Sequence, residues 1–364
     1  MALLQEIKRR VAGISARDNS APGPAAENLR RWLAALIAGP PARLQADADT
    51  LSLVKRSRLL PLAAFSGVGD DVLGAERRTA FAASVAIQHA SAAVVALLRG
   101  AEIPCVTLKG PAFAAQIHGD AAMRASCDVD LLVRRSDLPR VRAAFAAAGM
   151  AGSLHYPAWY EERWHDHAAF GGLPGVPRAS IEVHWDIVRP GLSALPVADL
   201  LSEAVTVPCG AAELPAPVVE WQIVLAAAHA AQHFFDARGL LDVGLCGVLL
   251  GADGWNAAAD RAERARLEPA LYHAVVLSAA WLDWPPPDAV ARLRPGRMQE
   301  RLADAYLRSW DPWQACSWGS VQLGKVGTPL CISSRLGGLP GMLFSLTDRP
   351  NVCRALDERL SRLR

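Results

Sequence analysis

Cys127-Asp128-Val129-Asp130-Leu131-Leu132-Val133 places two carboxylates one residue apart within an apolar run. A β-strand sends alternate side chains to the same face. In a strand, Asp128 and Asp130 therefore point together, and Val129 turns the other way. Two carboxylates that close repel each other unless a cation sits between them. A Mg²⁺ site for phosphate chemistry needs such hard oxygen ligands on a rigid element, with positions left open for substrate phosphates. A lone DxD pair also describes two solvated acids at a strand end, so the neighbouring sequence decides its meaning.

Three neighbours favour the cation site. Upstream, Val106-Thr107-Leu108-Lys109-Gly110-Pro111 is an apolar run ending in a lysine and a chain-bending pair. Arg124 lies between that run and the aspartates. Downstream, Ser180-Ile181-Glu182-Val183-His184-Trp185 alternates again. In it Glu182 and His184 share a face, opposite Ile181, Val183 and Trp185. A third carboxylate on an adjacent strand would complete a two-metal site.

Working outward, Ile103 to Leu108 is short and β-branched, which suits a strand. A helix is expected after Gly110-Pro111, through Ala112 to Ile117, with Gly119 ending it. The DxD strand spans Val129 to Val133. Ser136 then caps a helix that carries Pro139 near its start and stops at Gly149. His155 to Pro177 reads as loop, and Ser180 to Val188 as the third strand. This alternation predicts an α+β fold: a small mixed sheet (99–210) between an N-terminal helical region (1–98) and a C-terminal helical domain with a tail (211–364). In the flanks, apolar residues recur at helical spacing over Leu29 to Ile37, Arg78 to Leu98, Trp221 to Phe235, Leu240 to Leu250, Trp255 to Leu267 and Ala270 to Leu282.

The net charge of +2 gives no broad attraction for nucleic acid, and no long basic run supplies a local one. Seven scattered cysteines, an odd number with no CxxC, argue against a zinc ribbon or a disulfide framework and for a reducing compartment. Phe81 to Leu98 is interrupted by Gln88 and His89 and is expected as a buried helix, not a membrane span. A soluble cytoplasmic protein without a membrane partner is expected. Only four of the 38 basic residues are lysine, so Lys109 stands out as a compact charge able to approach a phosphate end-on.

The run LKG, an arginine four residues before D-x-D-L-L-V, and E-x-H-W after a loop together resemble an uncharacterised family of bacterial nucleotidyltransferase-like proteins. That family belongs to the DNA polymerase β-like superfamily, and the resemblance covers roughly residues 85–250. It implies a mixed sheet on which Asp128, Asp130 and Glu182 bind two Mg²⁺ ions. These ions carry a nucleoside triphosphate (NTP) and align an acceptor for attack on the α-phosphate. Glu182 matches the third carboxylate, as base or second-metal ligand, and Lys109 and Gly110 match the phosphate-side turn. The superfamily's usual Gly-Ser or Gly-Gly turn lies closer to the aspartates; here Asp128 is eighteen residues beyond Gly110. The implied acceptor is a small molecule or a modified peptide.

Arg124 is a candidate clamp on the triphosphate, with a surface ion pair to Asp120 or Asp128 as the competing role. His184 is a candidate for bonding Glu182 or contacting phosphate. Two histidine motifs invite a zinc reading: Trp164-His165-Asp166-His167 and His229-x-x-x-His233, the latter one helical turn apart. Neither motif supplies three or four ligands by itself. They are expected to line a groove, with Asp242 orienting His229 or His233. Trp310, Trp313 and Trp318 are expected to pack a C-terminal segment. Two alternatives to nucleotidyl transfer stay open: phosphoryl transfer from the γ position, which would make a kinase, and a scaffold with a vestigial site.

Overall fold

The computed structural model describes residues 23–39, 44, 47–66, 70–152, 158–176, 179–307, 310–313 and 328–334. It is an α+β fold. Strands β1 (Val106–Thr107), β2 (Asp128–Leu132), β3 (Ala151–Gly152), β4 (His167–Gly171) and β5 (Ser180–His184) form a mixed sheet in the order β1-β2-β5-β4-β3. The β2–β5 pair is parallel and the other three are antiparallel. A hairpin of β6 (Val205–Cys209) and β7 (Ala212–Ala216) abuts β1, where the Thr107 hydroxyl donates to the Pro215 carbonyl at 2.7 Å.

Helices α1 (Pro24–Ala38), α2 (Ala48–Arg56), α3 (Leu60–Ser66) and α4 (Asp70–Gly100) precede the sheet. Within it lie α5 (Gly110–Phe113, extended by a π-helical turn, Ala114–His118), α6 (Leu138–Ala147) and α7 (Ala158–Trp164). After it come α8 (Val197–Ser202), α9 (Val219–Gln232), α10 (Ala237–Leu249), α11 (Ala252–Ala265), α12 (Glu268–Leu282) and α13 (Arg297–Tyr306).

Strand alternation divides the sheet between two cores. Val129 and Leu131 of β2, with Ile181 and Val183 of β5, face Val94 and Leu98 of α4 and Val141 and Phe145 of α6. Leu132 turns to the opposite face and joins the larger core of α1, α9, α10 and α12, together with Leu108 and Phe113. Asp128, Asp130, Glu182 and His184 share that second face. α1 contributes Leu29, Trp32 and Leu33 to the larger core, where it packs against α10 and α12.

Several expectations are corrected. The stretch expected as loop from His155 to Pro177 contains α7 and β4. β4 reads His-Ala-Ala-Phe-Gly, and alanine has little strand preference; pairing with β5 overrides it. β5 ends at His184, not Val188, because the Trp185 and Asp186 amides both donate to the Asp166 carbonyl, at 3.0 and 3.3 Å, and leave the ladder. Ser136 lies in a 3₁₀ turn (Arg135–Asp137), and the helix begins one residue after that turn's end, at Leu138. The expected buried helix over Phe81 to Leu98 is buried mainly in its second half; Phe81 and Val85 are 55% and 45% exposed. Leu73–Gly100 is long and apolar enough to cross a membrane by length and composition, and 33% of its most apolar stretch is buried. Gly119 ends α5 with φ +84° as expected. Trp310 is buried and donates to the Phe235 carbonyl at 3.1 Å, and Trp313 packs edge-on to Trp281, while Trp318 lies outside the described residues.

Candidate active site

The parallel register sets Asp130 beside Glu182, and Asp128 beside Ser180. Three carboxylates thus line one face of two central strands. Lys109, at the end of β1, puts Nζ 3.1 Å from Asp130 Oδ1. His184 Nε2 lies 3.1 Å from the same oxygen and 3.5 Å from Glu182 Oε2. Gly110 does not line the cavity; its φ of +69° turns the chain from Lys109 into α5, a conformation glycine adopts without strain.

Charge is in excess here. Burial, and then the Asp130 and Glu182 charges, push the Asp128 carboxyl above its ordinary range. Burial acts the same way on Asp130, but His184 and Lys109 outweigh it and hold that carboxyl well below its usual range. Burial alone would lower the His184 imidazolium; the Asp130 and Glu182 carboxylates instead hold it up to about 9. Lys109 and His184 therefore offset two of the three negative charges. The remaining excess, on hard oxygen donors side by side on rigid strands, fits a divalent cation of the Mg²⁺ class. Asp130 and Glu182, with donor atoms within 4.8 Å of each other and of His184, would hold it, and Asp128, on the same face but outside that group, would complete the set.

The opposite wall is basic. It comprises Arg124 before β2, Arg238 at the start of α10, Arg58 in the turn between α2 and α3, and His229 and His233 on α9. The Asp236 carboxylate caps α10, accepting from the Gly239 amide at 2.7 Å. A Cβ on Gly239 would meet the Ala230 Cβ at 2.9 Å, so glycine permits the close α9–α10 approach that brings His229 and Arg238 together. Burial, and then Arg124, lower the Arg238 guanidinium below its ordinary value. His229 is driven well below the ordinary imidazole range by burial and then by Lys109. Arg58 and Arg238 add positive charge beside the Arg124 guanidinium, which favours an anionic guest.

Arg124 pairs with neither Asp120 nor Asp128. Its Nε donates to Asp242 Oδ2 on α10 at 2.9 Å, and its guanidinium lies 5.1 Å over the Phe113 ring. The other Asp242 oxygen lies 2.9 Å from His118 Nε2 in the π-turn, so Asp242 holds His118 and Arg124 and not His229 or His233. Among the described residues, no third ligand completes a metal set around His229 and His233. About 310 Å³ of open space lies between the two walls, bordered by Lys109, Arg124, Asp128, Asp130, Glu182 and His184. Arg58, Arg238, Gln232 and Asp166 border it too, and sequence reasoning did not place them there as site residues. Arg58 carries the clearest signal: a non-glycine residue held at φ +57° beside the cavity.

A family model described as an uncharacterised nucleotidyltransferase matches residues 68–283. The chain belongs to this nucleotidyltransferase family. The matched segment runs from α4 through α12 and includes both walls of the cavity except Arg58. No curated protein matches the chain.

Proposed function

We propose that this chain is a Mg²⁺-dependent nucleotidyltransferase moving a nucleotidyl group from an NTP to a small-molecule or peptide acceptor. The observation that carries the reading is a cavity lined by Asp128, Asp130, Asp166 and Glu182 on the sheet side and by Arg58, Arg124 and Arg238 on the opposite wall. Mg²⁺ held by Asp128, Asp130 and Glu182 would supply charge neutralisation at the phosphate oxygens. Lys109, Arg124 and Arg238 bind the triphosphate oxygens as point charge and forks. The acceptor atom bonds to the α-phosphorus as the bond to the bridging oxygen breaks, and pyrophosphate leaves. Glu182, half-buried at the cavity edge, is placed to take the acceptor's proton. A net charge of +2 gives a polynucleotide acceptor no general attraction.

Calorimetric titration with each NTP, with and without Mg²⁺, tests the site. Mg²⁺-dependent binding should be present in the wild type and absent in Asp128→Asn/Asp130→Asn. Equal binding by the folded double variant would place the nucleotide elsewhere. With an acceptor present, release of pyrophosphate marks nucleotidyl transfer; release of a nucleoside diphosphate would replace it with a kinase reaction.

A further inference from the structure

Behind the carboxylate wall, a second group of side chains converges on one oxygen. β4 and β5 pair antiparallel with His167 opposite His184, so both imidazoles stand on the functional face. Asp166 precedes β4, and its backbone carbonyl holds the end of β5 through the Trp185 and Asp186 amides. His167 Nδ1 lies 3.5 Å and His184 Nδ1 3.8 Å from the same Asp166 Oδ2. Both ring nitrogens are buried and make no hydrogen bond, and His184 is only 5% exposed.

These separations are too long for good N–H···O bonds, which run to roughly 3.2 Å. They lie near the spacing of two donors on one tetrahedral ion: ligands at about 2.1 Å are about 3.4 Å apart. All three donor atoms lie within 4.8 Å of one another. We propose that Asp166, His167 and His184 form a second metal site, for a borderline divalent cation of the zinc class. Two imidazoles and one carboxylate select such an ion over Mg²⁺, which prefers an all-oxygen shell.

The far side of His184 matches this role. A metal-bound histidine characteristically donates its other ring N–H to a carboxylate, which fixes tautomer and ring orientation. His184 Nε2 does so toward Asp130 Oδ1 at 3.1 Å. The second ion would thus lock His184 as a donor and aim Asp130 at the first site. All three residues border the cavity. The His165-Asp166-His167 motif lacked a third ligand in sequence because His184 is supplied by strand pairing.

The test does not depend on nucleotidyl transfer. Full-length protein, stripped with a chelator, is titrated with Co²⁺ alone and followed by its visible d–d absorption. One equivalent should give the intensity of a four- or five-coordinate nitrogen-ligated ion, and that absorption should survive millimolar Mg²⁺, which displaces cobalt only from the carboxylate site. His167→Ala and, independently, Asp166→Asn should weaken binding at least about 100-fold, the upper end of the losses from outer-shell changes alone. Asp128→Asn, which alters neither a ligand of this site nor the carboxylate that holds one, should keep the spectrum. Circular dichroism checks that each variant folds, and if one fails the other decides. No cobalt spectrum in the wild type, wild-type affinity in a folded His167→Ala or Asp166→Asn, or loss of the spectrum in Asp128→Asn would overturn the proposal.

Discussion

Two buried aspartates face one cavity from opposite walls, and each is held by one long cation and one imidazole. Asp130, 4% exposed, takes Lys109 and His184; Asp242, 2% exposed, takes Arg124 and His118. Both carboxyls are held below their ordinary range against the effect of burial, Asp242 near 2. Their surroundings differ. Asp130 has Asp128 and Glu182 beside it, so its wall carries more negative charge than Lys109 and His184 offset. At Asp242 both oxygens are bonded and the local charge is matched. The same ion-pair motif is therefore a binding site where carboxylates are in excess and a brace where they are balanced. Asp186 is a third case: half-buried without a cation, bonded by the Ser193 hydroxyl and the Ile187 amide, it is pushed up to about 6 by burial.

Removing the brace should have the largest effect. Asp242→Ala leaves the Arg124 guanidinium buried without its carboxylate and should cost about 3–5 kcal/mol in denaturant unfolding, the usual loss when one partner of a buried pair is deleted. The wild type's advantage should be full at neutral pH. It should fade progressively from the ordinary aspartate range down to the depressed Asp242 value near 2, because over that interval the unfolded chain takes up the proton that the folded one refuses. A loss under about 1 kcal/mol would mean that the pair is solvated like a surface bridge.

On the other wall the cost should fall on turnover. Lys109→Ala removes a cation aimed at the site and should lower kcat/KM for the NTP by about 10²-fold, the scale of one preorganised charge-stabilising donor. Unfolding should change less than in Asp242→Ala, because Asp130 keeps His184. An unchanged kcat/KM would reduce Lys109 to a partner of Asp130 and break the distinction between the walls.

How much of this the sequence disclosed follows from distance along the chain. Asp128, Asp130, Glu182 and His184 lie in two five-residue strands, and alternation alone puts each set on one face. Lys109 and the turn at Gly110 are one strand away. The basic wall was hidden because Arg58, in the turn before α3, and Arg238 and Asp242, on α10, lie far from Arg124 and from the strands in sequence, and only packing brings them to the cavity. Arg124 was legible as a cavity cation but not its partner, 118 residues on. β4 was hidden by its alanines. β6 and β7 were hidden by Pro208 and Pro215, which are unusual inside strands and tolerated here in a two-stranded ribbon. Asp166 and His167 were noticed as a motif, yet their meaning depends on a cross-strand partner.

The smallest effect should have the opposite sign. Asp128 is raised, not lowered: burial and the like charges of Asp130 and Glu182 disfavour its ionised form. A carboxyl raised on folding favours the folded state below its unfolded value, and that advantage is lost as pH rises through the folded one. At neutral pH without divalent ions, wild-type protein should therefore carry a penalty that Asp128→Asn lacks. The variant should melt higher, by about 1 kcal/mol in stability, the range of substitutions that relieve functional strain. Saturating Mg²⁺ should reverse the order, because the ion stabilises only the protein that binds it. The gain without Mg²⁺ should shrink as pH falls, because the raised Asp128 carboxyl takes up its proton in the folded protein before an ordinary aspartate does and then resembles asparagine. If Asp128→Asn melted below the wild type at neutral pH without Mg²⁺, the sheet wall would be as balanced as the Asp242 brace. The contrast on which the metal assignment rests would then be gone.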